Sequence, residues 1–142
     1  MIVVTAIIQN KFYFAESLDE AEVLIDDALS GRFWNSLTKL YASDRPCSDG
    51  TYPGHQLGLG TEKTGAHAAV HFVTTDKNGL LLQSLNPTPL ADAPEIIFDS
   101  EGGIFFPPNA IIPRAAAKTA ALEYCRTSEL PSALSWQPSY WS

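Results

Sequence analysis

The chain is short of positive charge. Nine lysines and arginines stand against sixteen aspartates and glutamates, a formal net charge of −7 over 142 residues. The nine are scattered singly, whereas proteins that grip nucleic acid gather Lys and Arg against the phosphates. Direct nucleic-acid binding is therefore not expected, and a basic protein partner fits the sign better. Long apolar runs are also missing. The longest, Met1 to Ile8, falls well short of the roughly 20 residues a bilayer requires, so no membrane partner is expected. No basic stretch precedes that run and no small-residue cleavage site follows it. It reads as a first strand rather than a secretion signal, and the expected location is the cytoplasm.

Cysteine is scarce. Cys47 and Cys125 lie far apart without a CxxC. Two free thiols are the default in a reducing compartment, with Cys125 buried on a helix, and a bridge between the two stays open.

The patterns that carry chemistry are missing as well. There is no Gly-x-Ser-x-Gly elbow for a serine nucleophile. A zinc deaminase needs a His-x-Glu and a Pro-Cys-x-x-Cys; Pro46-Cys47-Ser48-Asp49-Gly50 lacks the second cysteine and no His-x-Glu occurs. The run Gly58-Leu59-Gly60-Thr61-Glu62-Lys63-Thr64 faintly resembles a phosphate loop, but Glu62 stands where that loop needs glycine and would repel phosphate. His67 and His71 would share a metal on a helix. Their setting, AHAAVHFVTT, reads as a strand, which places them about 13 Å apart on one face, too far for one ion. Acids abound, yet no second feature singles out a catalytic pair. The expectation is a protein that is not an enzyme, with no metal and no cofactor.

What is present is the punctuation of one α+β domain spanning 1–142. Ile2 to Gln9 is β-branched and reads as a strand. Ser17-Leu18-Asp19-Glu20 is a capping box opening a helix whose Leu18, Ala21, Leu24, Ile25 and Ala28 recur at helical spacing, with Gly31 as its end. Arg32 to Ala42 suits either helix or strand, and we lean towards a strand ending near Tyr41. Ser43 to Gly65 is rich in Gly, Pro and Ser, and reads as a loop or two loosely paired strands. Ala66–Thr75 and Leu80–Leu85 flank Asp76-Lys77-Asn78-Gly79, a hairpin turn. After a proline-rich crossing from Asn86 to Pro94, Glu95–Ser100 and Gly103–Phe106 form a second hairpin. Pro113 opens a helix running to Arg126, with Ala117, Ala121, Tyr124 and Cys125 inward. A last strand ends at Trp136, whose ring is expected in the core. The fold class is α+β, one antiparallel-rich sheet with a helix near each end of the chain.

The last third carries a recognisable pattern: Phe106, Pro107, Pro113, Ala116, Ala120, Tyr124, Pro131 and Trp136. It resembles the carboxy-terminal signature of the immunity proteins that bacteria pair with polymorphic toxins, closest to immunity family one, often encoded beside deaminase toxins. His67 to Ser84 resembles that family's central hairpin and Pro94 to Phe106 its next strand pair; residues 30–62 match nothing. The resemblance implies an inhibitor that binds a cognate toxin domain, a nucleic-acid deaminase or a nuclease, whose substrate groove is necessarily basic.

Three stretches are candidates for that contact. On the first helix Asp19, Glu22, Asp26 and Asp27 share the face opposite the apolar stripe. On the second hairpin stand Asp92, Glu95, Asp99 and Glu101. The Asp44 to Glu62 segment offers Asp49, Tyr52, His55 and Glu62, since loops commonly carry binding residues. Either acidic set also reads as an ordinary solvated face. An alternative from another class is a small-molecule-binding or enzymatic domain using the loop around His55, Glu62 and Lys63. A structural subunit of a larger assembly is a third.

Overall fold

The structure, a computed structural model, describes residues 2–48, 50–76 and 79–141. Strand β1 (Val3–Ile8) turns directly into β2 (Lys11–Ala15), a strand the sequence reading missed. Gln9 and Asn10, with φ of 49° and 66°, form the two-residue turn whose twist matches a tight hairpin. Helix α1 (Leu18–Ala28) starts at Ser17, whose hydroxyl accepts the Glu20 N–H at 3.1 Å. The Glu20 carboxylate reaches back to the N–H of Glu16, one residue earlier than a capping box requires. Ala21, Ile25 and Ala28 are buried, Leu24 packs at the margin, and Leu18, expected in the stripe, is exposed. The helix stops at Ala28 with Leu29 as its cap, three residues ahead of the expected Gly31.

The chain continues through β3 (Thr38–Ser43), β4 (His55–Thr61), β5 (His67–Thr74) and β6 (Leu81–Leu85). Of the expected turn before β6, Lys77 and Asn78 lie outside the described residues; the Gly79 N–H donates to the Asp76 carbonyl at 3.0 Å. A small hairpin, β7 (Ile97–Asp99) and β8 (Ile104–Phe105), precedes a 3-10 turn at Pro108–Ala110 and β9 (Ile112–Pro113). Pro113 caps α2 (Arg114–Thr127), and β10 (Ser135–Pro138) follows. The large sheet runs β10-β6-β5-β4-β3-β1-β2, antiparallel throughout, and β9 pairs with the start of β5. The molecule is thus α+β, as its sequence reads. Among the described residues no helix is long and apolar enough to cross a membrane.

Over 43–65, expected as a loop or two loosely paired strands, the structure has one well-paired strand, β4, preceded by irregular chain. It is a seven-residue strand in the middle of the sheet, paired on both sides. Gly58 and Gly60, read as loop signals, mark close approach instead: a Cβ on Gly60 would lie 2.8 Å from Ile96 Cγ2 and 2.9 Å from Phe106 Cε2.

Strand alternation divides the core in two. On one face Ala6, Leu40, Leu57, Leu59, Val70 and Phe72 meet Ile25 of α1 and Ala117, Ala121 and Tyr124 of α2. The alanines let both helices lie close to the sheet. Trp136 is half-buried at the rim of this core rather than inside it, with its ring 6.3 Å from Phe72 and its Nε1–H donating to the Pro131 carbonyl. On the other face Ala69, Ile96, Phe106, Ala110 and Ile111 form a smaller cluster beneath the 86–111 segment. Both cysteines are free and buried, and burial pushes the Cys125 thiol up to about 12.

Candidate functional site

The helix-free face of the sheet is only partly covered. The β7–β8 hairpin lies over β4, and the chain after β3 folds back so that the Cys47 N–H donates to Thr5 Oγ1 and the Tyr52 ring packs on Tyr41, centroids 4.8 Å apart. A cleft of about 740 Å³ stays open on this face. Its floor comes from successive strands, because Ile7, Phe12, Lys39, Gln56, His71 and Val73 all alternate away from the helices. Phe98, Asp99, Ser100 and Glu101 of the hairpin form one side.

His71 is the buried polar residue of this floor, 1% exposed, with its ring 4.8 Å from Phe98. Its Nε2 lies 2.8 Å from the Trp141 carbonyl, an acceptor only, so Nε2 carries the hydrogen. Burial lowers its pKa, with the Trp141 bond opposing, and the ring is neutral with a lone pair on Nδ1. That Nδ1 has no hydrogen-bond partner among the described residues, and neither does the buried Ser36 Oγ, which lines the same cleft.

The sequence candidates sort by face. Asp99 and Glu101 line the cleft; Asp99 Oδ1 also accepts the N–H groups of Glu101 and Gly102, which shapes the hairpin turn. Tyr52 joins indirectly, since the Tyr41 hydroxyl donates to Gln56 Oε1, and Gln56 is on the floor. Burial, with Tyr52 and Cys47 nearby, pushes the Tyr41 hydroxyl up to about 12. Asp92 and Glu95 are exposed on the approach to the hairpin. Asp49 lies outside the described residues.

The α1 acids are elsewhere, on the helix layer, and only Asp19 fits the expected free face. Lys118 of α2 bridges Glu22 and Asp26, each at 2.9 Å, Arg114 lies 3.9 Å from Asp26, and Asp27 pairs with Arg32. Glu22 and Asp26 therefore tie α1 to α2. His55 turns inward too, with Nδ1 2.7 Å from the Tyr124 hydroxyl. Glu62 holds the turn after β4, accepting from Thr64, Ala66 and His67; partial burial would raise its carboxyl, but these bonds hold it below its ordinary range. Lys63 lies over the Trp34 ring at 4.6 Å. The alternative trio of His55, Glu62 and Lys63 does not converge: six strand steps, about 20 Å, separate the two ends of β4.

Sequence reasoning missed Phe12, Gln56 and Lys39, and weighed His71 as a metal ligand against an ordinary packed or surface histidine, favouring the latter; it is packed, at 1% exposure. An asparagine followed by the alternating Lys11-Phe12-Tyr13-Phe14 was the signal for a hairpin with an aromatic edge. Among the described residues no three His, Cys, Asp or Glu gather as a metal site.

No curated protein matches the chain. The family model described as immunity protein Imm1 matches residues 15–138, which takes in both helices, strands β3 to β9 with the hairpin beside the cleft, and β10. The chain belongs to the Imm1 family of immunity proteins.

Proposed function

We propose that this immunity protein binds the catalytic domain of its cognate toxin and blocks it by covering the substrate groove, and that the toxin is a nucleic-acid deaminase. The family membership carries the toxin-binding role. The charge supports the rest. A domain that acts on nucleic acid needs a basic groove, and a chain with net charge −7 is drawn to it and excluded from nucleic acid itself. Inhibition of this kind requires occupancy rather than turnover, so the protein acts in the cytoplasm as a stoichiometric inhibitor and not as an enzyme. Co-expression with the toxin domain encoded beside it tests the reading: cells survive and the two chains co-purify. Cell death with no co-purifying toxin would sink it.

A further inference from the structure

We propose that the toxin docks on the cleft beside the β7–β8 hairpin, and that a protruding toxin loop seats an arginine or lysine side chain there, with Asp99 and Glu101 as its counter-charges. This inference rests on the immunity reading and names its surface.

Three observations converge on that occupant. The first is charge. The acids that make ion pairs, Glu22, Asp26 and Asp27, belong to the helix layer, whereas Asp92, Glu95, Asp99 and Glu101 have no ion pair among the described residues. Within the cleft two carboxylates face the single Lys39 ammonium, so the balance invites a cation. The second is hydrogen bonding. A buried acceptor without a donor is unfavourable, and the floor has one at His71 Nδ1, with Ser36 Oγ also unsatisfied among the described residues. Arg and Lys side chains are donors only, and would meet carboxylate and imidazole lone pairs alike.

The third is continuity with an exposed apolar edge. Phe12, Tyr13 and Phe14 are 43%, 40% and 45% exposed on β2, the last strand of the sheet, and Phe12 lines the cleft. Phe14 alternates to the same face as Phe12, and Tyr13 to the opposite one. This edge strand, with its unpaired backbone groups, thus sets two aromatic rings on the cleft side as an adhesive border. Aromatic anchors around a buried charge pair are the composition of interface hot spots. The cleft's volume alone would also suit a small ligand. The aromatic edge beside it favours a protein that covers both.

The test titrates the purified chain with the toxin domain encoded beside it, using wild type, Phe12→Ala, and the double variant Asp99→Asn with Glu101→Gln. Asparagine at 99 keeps the acceptor for the hairpin turn, and Phe12 is exposed, so both variants should melt as the parent does. Val23→Ser, on the exposed side of α1, is the control. Each cleft variant should weaken binding about tenfold or more, and Val23→Ser should leave it unchanged. The double variant should also bind with a flatter salt dependence. Cleft variants that bind as tightly as wild type overturn this inference while the immunity reading stands. A small molecule held in the cleft, together with unaltered toxin affinity of the variants, overturns it likewise. No wild-type complex at all overturns both.

Discussion

The Tyr124 hydroxyl lies 2.7 Å from His55 Nδ1, joining α2 to the start of β4 across the main core. The same oxygen accepts the Ala42 N–H at 3.2 Å, which leaves its hydrogen for the imidazole. Tyr124 is fully buried, and burial raises its pKa, so it stays a phenol that donates to a neutral His55. Tyr124→Phe keeps the ring packing and strands two partners, the Ala42 N–H and the His55 lone pair. It should cost about 1–3 kcal/mol in urea unfolding. An unchanged midpoint would mean that water satisfies both groups.

Acid should weaken the fold in two separate windows. Burial lowers the pKa of both His55 and His71 below the ordinary 6.5. The unfolded chain then binds more protons than the folded one below that value. Stability from these imidazoles is complete above pH 6.5 and declines as pH falls towards their folded values. Glu123, held low by the Ser132 and Ala133 N–H groups, contributes above its ordinary 4.5 and loses that contribution only below it. Unfolding free energy should therefore decline as pH falls below about 6.5, and the decline should be shallower in His55→Gln. A flat profile over that window would contradict the burial of the two rings.

Gly60→Ala and Gly58→Ala should differ. At Gly60 a methyl meets Ile96, Phe106 and the Ile97 carbonyl, which together hold the hairpin layer on the sheet. At Gly58 it meets chiefly the mobile end of Leu37, at 2.9 Å. Overpacking of the first kind costs about 1–3 kcal/mol. Gly58→Ala should cost less. Equal melting temperatures for the two would argue that the hairpin layer gives way freely.

Lys118→Met removes the cation between Glu22 and Asp26. Those carboxylates then face each other one helical turn apart, a repulsion that salt screens. The variant should melt below the parent in dilute buffer, and the gap should narrow at high salt. A gap independent of salt would assign the loss to packing of the lysine stem.

Much of the architecture was legible because its punctuation is local. Ser17, Pro113 and the prolines of 86–94 mark boundaries through hydrogen bonds and backbone angles that neighbours alone determine. The middle of the sheet was not. Gly60 is packed against Ile96 and Phe106, and Gly58 against Leu37 and His71, residues distant in the sequence, and composition cannot reveal such partners. The acids of α1 misled for the same reason: Glu22 and Asp26 form a solvated face until α2 brings Lys118 to them. Asp99 and Glu101, candidates on charge alone, line the cleft. Phe12 and His71 needed the sheet to set them beside that hairpin.

On the proposed function, the most direct measurement brings the purified chain and its cognate toxin domain together and follows the toxin's activity on nucleic acid. Activity should fall linearly with added chain and vanish at equimolar ratio, with a one-to-one complex isolated from the mixture. Full toxin activity in excess chain, with the two proteins eluting apart, would contradict the account.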